Sequence, residues 1–267
     1  MANPVIILVI ALMCSFMPMN FAILVSAVYV VMHLYAISLE CAVVALCLFL
    51  LLFLLYFRFT PKDALIVLLL PIGFFLKIPY VVVLSAGLIG TPVSVVAAAC
   101  GVMVYYLVQF ISTNVNTIVS LEADNGIGKF RFVVNGMMNN KPMFVMMVAF
   151  AITILIVYVL RRLSVDHAWT IALAAGCVIH VVILLVGDLL FDTAISVPGV
   201  VVGMIVSFLL CKVLQFFVFN VDYTRTEYVQ FEDDEYYYYV KAIPKNSVTK
   251  SKKTVKKITS VIDYREQ

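Results

Sequence analysis

Long apolar runs separated by short polar breaks fill the chain from its start to about residue 219. A helix that crosses a bilayer needs about 20 mostly apolar residues. Residues 4–36 form one run interrupted near Pro18 and Asn20, long for one helix and tight for two. Proline removes a backbone donor and clashes with the preceding turn, so two short spans broken at Pro18 are expected. Residues 39–57 make a cleaner span. Ser38 offers an N-cap, Glu40 sits in the first turn, and Arg58 and Lys62 close the end.

The next stretch is irregular. Residues 63–77 and 78–90 are apolar but short, and Lys77, Ile78 and Pro79 divide them. Gly87, Gly90 and Pro92 break the run again before a full span at 93–112. Such interrupted pieces are either re-entrant helices, tolerated only where protein or a water-filled cavity shields the backbone, or two tilted short spans. Residues 113–141 are polar enough to lie outside the hydrocarbon. Val115, Ile118, Val119 and Glu122, then Phe130, Val133, Val134, Met137 and Met138, recur at helical spacing on either side of an Asn125-Gly126 turn. That pattern predicts one or two amphipathic helices on the membrane surface. Three more spans follow at 142–160, 168–190 and 194–219.

Composition agrees with this pattern. Apolar residues make up 64% of the chain and charged ones 12%, with a mean hydropathy of +1.11. Soluble domains hold roughly 45–50% apolar and about 25% charged residues. The expected fold is therefore an all-α polytopic membrane protein, with about six to nine apolar helical segments, some re-entrant. A membrane region at 1–112, an extracytoplasmic amphipathic loop at 113–141, a three-helix membrane region at 142–219 and a polar tail at 220–267 divide it. The start, Met-Ala-Asn-Pro, has no Lys or Arg before Arg58, so residues 4–36 are expected to be retained rather than removed as a signal peptide.

Basic residues favour the cytoplasmic side. Arg58 and Lys62, Arg161 and Arg162, and the tail lysines all fall inside if 113–141 lies outside and residues 63–90 enter and leave on one side. Lys212 then snorkels toward the inner interface. The carboxyl terminus is cytoplasmic in this plasma-membrane arrangement, while the side of the amino terminus stays open.

The tail has its own pattern. Residues 225–244 read RTEYVQFEDDEYYYYVKAIP, two strand-forming runs around an acidic turn, which predicts a β-hairpin. Alternation puts Tyr236, Tyr238 and Val240 on one face and Tyr237, Tyr239 and Lys241 on the other. Beyond Pro244, Lys252, Lys253, Lys256 and Lys257 form a basic cluster suited to anionic lipid heads; no nucleic-acid role is expected beside so many spans. The strings LLYFRFTPKDALIVLLLPIGFFLKIPYVV and FFVFNVDYTRTEYVQFEDDEYYYYVKAIPK resemble an uncharacterised multi-pass membrane protein family of Gram-positive anaerobic bacteria. That resemblance implies a bacterial plasma membrane and no particular activity.

Candidate chemistry is sparse. Cys14, Cys41, Cys47, Cys100, Cys177 and Cys211 sit in or beside apolar runs without C-x-x-C spacing, so they read as packing groups. Gly126-Ile127-Gly128-Lys129 lacks the spacing and the Ser/Thr of a phosphate loop, and no metalloprotease helix or nucleophile elbow is present. Neither an enzyme nor a cofactor is expected. Ionisable groups within spans are expensive and mark candidate transport residues: Lys77 at the helix break, His180 in mid-span and Asp188 near a turn, with His33 close to a span end. Gly199, Gly203 and Ser207, extended by Cys211, make a small-residue stripe for close helix packing, and Ser94, Ala98 and Gly101 a weaker one. Two readings follow. The leading one is a membrane scaffold or assembly subunit presenting Tyr236, Tyr238 and Val240 to a protein partner or to another copy. The alternative is a small-solute or ion transporter built around Lys77. A sealed interior at Lys77 favours the first, and a polar cavity reaching it the second.

Overall fold

The computed structural model describes residues 4–120, 126–193, 196–218, 227–232 and 237–242. Asn125, Tyr236 and the lysine cluster at 252, 253, 256 and 257 lie outside the described residues. Residues 1–214 form one compact unit and residues 215–267 a second.

The first unit is helical. Helices α1 (Pro4–Phe16) and α2 (Met19–Tyr35) are divided at Pro18, whose φ of −60° suits the start of α2. Helix α3 (Leu39–Phe59) opens on the expected cap, with Cys41 N donating to Ser38 Oγ at 3.3 Å. At its other end the Tyr56 hydroxyl donates to Asn20 Oδ1 at 2.8 Å, which sets α2 and α3 antiparallel. Then come α4 (Ala64–Phe75), α5 (Pro79–Ile89) and α6 (Ser94–Thr113). Two surface helices, α7 (Val115–Ser120) and α8 (Gly126–Met138), precede α9 (Lys141–Leu160), α10 (Ala168–Phe191) and α11 (Val197–Val218).

Five of these helices, α3, α6, α9, α10 and α11, are long and apolar enough to cross a membrane. Their surroundings have to be apolar as well. Leu54, Phe75 and Leu189 are 75%, 83% and 83% exposed, an arrangement that lipid accommodates and water penalises. The chain is an all-α polytopic membrane protein with a small antiparallel hairpin.

The inner core joins both halves of the membrane region. Leu70 of α4, Val83 of α5, Val102 of α6, Phe150 and Ile154 of α9, Leu184 of α10 and Met204 of α11 bury one another. A second cluster joins α3, α6 and α8 through Phe49, Leu107, Ile111 and Val133. The amphipathic stripe of α8 is centred on Val133 and Met137, and Gly136 is pressed onto the Phe110 ring. Phe130 and Met138, which helical spacing places on that stripe, lie at its margin, 44% and 67% exposed. The spacing is right there, but the face α8 presents to α3 and α6 is narrower than the run of apolar residues.

The second unit contains the expected hairpin. Strands β1 (Glu227–Glu232) and β2 (Tyr237–Ala242) pair antiparallel, with Val229 opposite Val240 and Phe231 opposite Tyr238. Opposed residues share a face, so Val229, Tyr238 and Val240 lie together. Tyr228, Gln230, Tyr239 and Lys241 lie on the other, where the Lys241 ammonium stands 5.9 Å from the Tyr228 ring centroid.

Candidate functional site

Helices α4 and α5 are too short to cross. With 12 and 11 residues, each rises only about 16–18 Å at about 1.5 Å per residue, against a hydrocarbon core of about 30 Å. Their outer ends meet at the start of α6. Ser94 Oγ donates to Asp63 Oδ2 at 2.7 Å and accepts from Thr91 N at 3.0 Å. Arg161, just past α9, donates from Nη2 to the Gly90 carbonyl at 2.7 Å. Its guanidinium also lies over the rings of Tyr158 and Trp169, at 4.9 and 5.6 Å from their centroids. So α4 and α5 are the two legs of a helical hairpin that enters and leaves at one end of the bundle. Of the two arrangements open to residues 63–90, this length suits the re-entrant one.

That end also carries Arg58, Arg162 and Lys212, the last donating to Thr170 Oγ1 at 2.7 Å. With Lys62 and Arg161 it is the more basic of the two ends among the described residues, against Lys77, Lys129, Arg131 and Lys141 toward the other.

The tip of the hairpin is Leu76-Lys77-Ile78. It turns sharply because Gly73 packs on Pro79, where a side-chain carbon would stand 3.0 Å from Pro79 Cα. Pro79 occupies the first turn of α5, a position that needs no N–H donor. Lys77 adopts a left-handed backbone, φ 61°, which is unfavourable for a residue with a Cβ. Small residues of the crossing helices accommodate the hairpin. Gly101 of α6 leaves room for Leu70, whose Cβ lies 2.9 Å from where a glycine side chain would begin. Gly203 of α11 faces the Tyr80 ring, 2.8 Å on the same measure, and the Lys77 carbonyl at 3.6 Å. Further along the stripe, Ser207 is fully buried and Cys211 Sγ approaches the Val81 carbonyl at 3.6 Å. The Gly203–Cys211 stripe thus faces α5 within the same chain.

Above the tip, toward the end opposite the basic one, lies an open cavity of about 550 Å³. Lys77 and Tyr80 line its floor, and Gln109 and Asn114 of the α6 end, Asn140 before α9 and Ser196 before α11 line its walls. Tyr105 forms part of the same wall and stacks on Phe74, ring centroids 4.3 Å apart. Lys77 is exposed, and among the described residues its ammonium has no ion-pair or hydrogen-bond partner. It is also the one charged side chain among the residues lining the cavity.

The other candidates are placed differently. His180 is 1% exposed, with its ring 5.0 Å from that of Tyr80 and 5.5 Å from that of Phe150. Its Nδ1 is 2.9 Å from Thr153 Oγ1, and Thr153 donates its single proton to the Ala149 carbonyl at 2.7 Å. Network logic then assigns the proton of the pair to His180 Nδ1, and His180 Nε2 is buried without a partner. Asp188 accepts from Thr193 Oγ1 at 2.8 Å and holds the turn after α10. His33 is exposed in the last turn of α2 against Tyr29. Gly199 has only the Ser196 side chain near it. In the second unit, Tyr238 and Val240 are 40% and 41% exposed on the apolar face of the sheet.

No protein family, curated protein or solved structure matches the chain.

Proposed function

We propose that the protein is a membrane transporter that admits a small polar solute into the cavity above the re-entrant tip, with Lys77 as the residue that meets it. The cavity reaching Lys77 is the observation that carries this reading over a purely structural role. A scaffold has no need for an unpaired cation at the floor of an open cavity, on a strained backbone, among amide and hydroxyl side chains. A cavity of a few hundred Å³ with a small number of convergent polar groups is the usual form of a small-molecule site. The hairpin itself resembles the discontinuous helices that place substrate sites part-way across transporters.

By the positive-inside rule the basic end is cytoplasmic, so the cavity opens outward and the Asp63–Ser94 and Arg161–Gly90 bonds close the inner side. Access from the cytoplasm then requires those bonds to part while the cavity closes, the alternating exposure that a carrier needs. In a background lacking the native cysteines, Lys77→Cys and Gln109→Cys are expected to react with an impermeant maleimide added to intact cells. Lys62→Cys, exposed at the basic end, is expected to react only after the membrane is opened. Proteoliposomes should also pass at least one solute from a panel of small acids, amides and amines, and Lys77→Met should abolish that flux. An unreactive Lys77→Cys, or a bilayer that passes nothing in the panel, removes the reading.

One observation favours a second role in parallel. The cytoplasmic hairpin has two strands and therefore two edges unpaired within the described residues, and its Val229–Tyr238–Val240 face is partly exposed. Such a sheet suits strand addition by a protein partner. Val240→Pro removes a ladder donor and should abolish crosslinks to that partner without lowering membrane insertion.

A further inference from the structure

We infer that the solute taken by the Lys77 cavity is a small organic monoanion, a carboxylate carried on an aromatic or aliphatic body. This rests on the cavity being a solute site, as proposed above, and adds the class of solute.

Charge decides the sign. Lys77 is the one charged side chain lining the cavity, and no carboxylate lines it. A cation would meet an ammonium and no counter-charge, whereas an anion would meet one full positive charge. The backbone adds to this. The α5 helix begins at the cavity floor with no side chain capping its first turn, because Ile78 occupies the N-cap position. Of its first residues, Ile78 N already bonds the Gly73 carbonyl, Val81 N bonds the Ile78 carbonyl and Pro79 has no N–H, so what the helix start adds on the cavity side is the positive end of its dipole. Asn114 Nδ2, Thr113 Oγ1 and Thr193 Oγ1 donate within the chain, to Phe110 O, Gln109 O and Asp188 Oδ1, but other lining groups keep donors for a ligand. Asn140 uses its Oδ1 to accept from Met143 N at 3.2 Å, which leaves its amide hydrogens for the cavity. Tyr80 and Tyr105 add hydroxyl donors.

Valence decides the number of charges. One lysine neutralises one negative charge. A second charge on the ligand would enter a partly desolvated site with no partner, which is strongly unfavourable. Inorganic phosphate and sulfate are thereby disfavoured. The aromatic side of the cavity decides the rest of the molecule. Phe74, Tyr105 and Phe110 line it, and the stacked Phe74–Tyr105 pair offers an apolar surface that a small inorganic ion would leave unused.

Lys77 occupies a left-handed position where glycine would cost less. A strained backbone retained under a charged side chain is an observation from which function can be inferred.

The test compares benzoate with benzamide, which have nearly the same shape and differ in charge. Binding to the detergent-purified full chain is measured by saturation-transfer NMR, with acetate, sulfate and benzyltrimethylammonium as further probes. Benzoate is expected to bind about tenfold or more tightly than benzamide, the effect of one charge-assisted hydrogen bond, and sulfate and the ammonium not to compete. Lys77→Gln is expected to erase the difference between benzoate and benzamide, and Lys77→Arg to keep it. Circular dichroism and size-exclusion elution of each variant establish that it is folded. Equal binding of benzoate and benzamide to the wild type overturns the monoanion inference and leaves the solute site standing. A preference for benzoate that survives Lys77→Gln places the anion site elsewhere and also overturns it. Binding of none of the probes overturns both readings.

Discussion

Replacing Thr153 by Val and His180 by Leu, singly and together, tests the most deeply buried polar pair in the helical unit. Thr153→Val keeps the shape and removes the oxygen that His180 Nδ1–H reaches at 2.9 Å. The imidazole, 1% exposed, then has no partner on either nitrogen, since Nε2 already has none. Leaving one buried donor unsatisfied costs about 1–3 kcal/mol. Interhelical bonds within membranes average lower, near 0.6 and reaching about 1.7 kcal/mol, so about 1 kcal/mol is expected. His180→Leu should be neutral or stabilising. It removes two buried polar atoms, one already unpaired, and Thr153 keeps its bond to the Ala149 carbonyl at 2.7 Å. The double variant should match His180→Leu alone, because no buried nitrogen remains to be orphaned. SDS-induced unfolding in mixed micelles, followed by far-UV circular dichroism, gives the four free energies. Coupling of about 1 kcal/mol supports the tautomer assignment. Losses that add to within about 0.3–0.5 kcal/mol refute it. A large loss in His180→Leu alone refutes the claim that the ring is a packing group between Tyr80 and Phe150.

Two further outcomes follow from the hairpin's packing. Gly203→Ala puts a carbon 2.8 Å from a Tyr80 ring already flanked by His180 and Phe150. It should cost about 1–3 kcal/mol as overpacking, while Gly199→Ala, facing only the movable Ser196 hydroxyl, should unfold like the wild type; equal behaviour of the two in the same assay contradicts the placement of α11. Arg161→Gln loses the charge-assisted bond to Gly90 and the stacking on Trp169, and about 1.5–3 kcal/mol of stability is expected to go with the bond. Arg161→Lys should recover less than half of that, since an ammonium lacks the planar fork, and full recovery would mean that charge alone holds the inner clasp.

How much of this was legible in the sequence depends on the range of the interaction involved. Helix breaks at Pro18 and at Lys77-Ile78-Pro79 were legible because proline acts on its own neighbours. The Ser38 cap and the strand alternation of residues 227–242 are likewise local. The direction of the hairpin legs was constrained only indirectly, by the demand that Arg58 and Arg161 share a side. The cavity was not legible at all. Gln109, Asn114, Asn140 and Ser196 are ordinary helix-end residues in sequence, and only the meeting of α6, α9 and α11 around the hairpin tip brings them together. Thr153 gave no signal either, since a threonine in an apolar run reads as a residue bonded to its own helix. The partner of Asp188 was not legible either: Thr193, five residues on, donates to it at the turn after α10.

The short hairpin also constrains how the chain is made. Helices α4 and α5 leave the ribosome before the helices that shield them, and beyond α4 the chief neighbour of α5 is α9, which begins at Lys141. Lys77 N and Ile78 N bond the Phe74 and Gly73 carbonyls within the hairpin, but until then little protein covers the tip, and lipid cannot satisfy the backbone groups left over. The nascent hairpin must wait at the interface or within the insertion machinery while the intervening surface helices are synthesised. Its entry into the bilayer is thus a late step that depends on assembly, and a chain truncated before α9 would keep the packing of α4 on α6 but lack the main helix that shields α5.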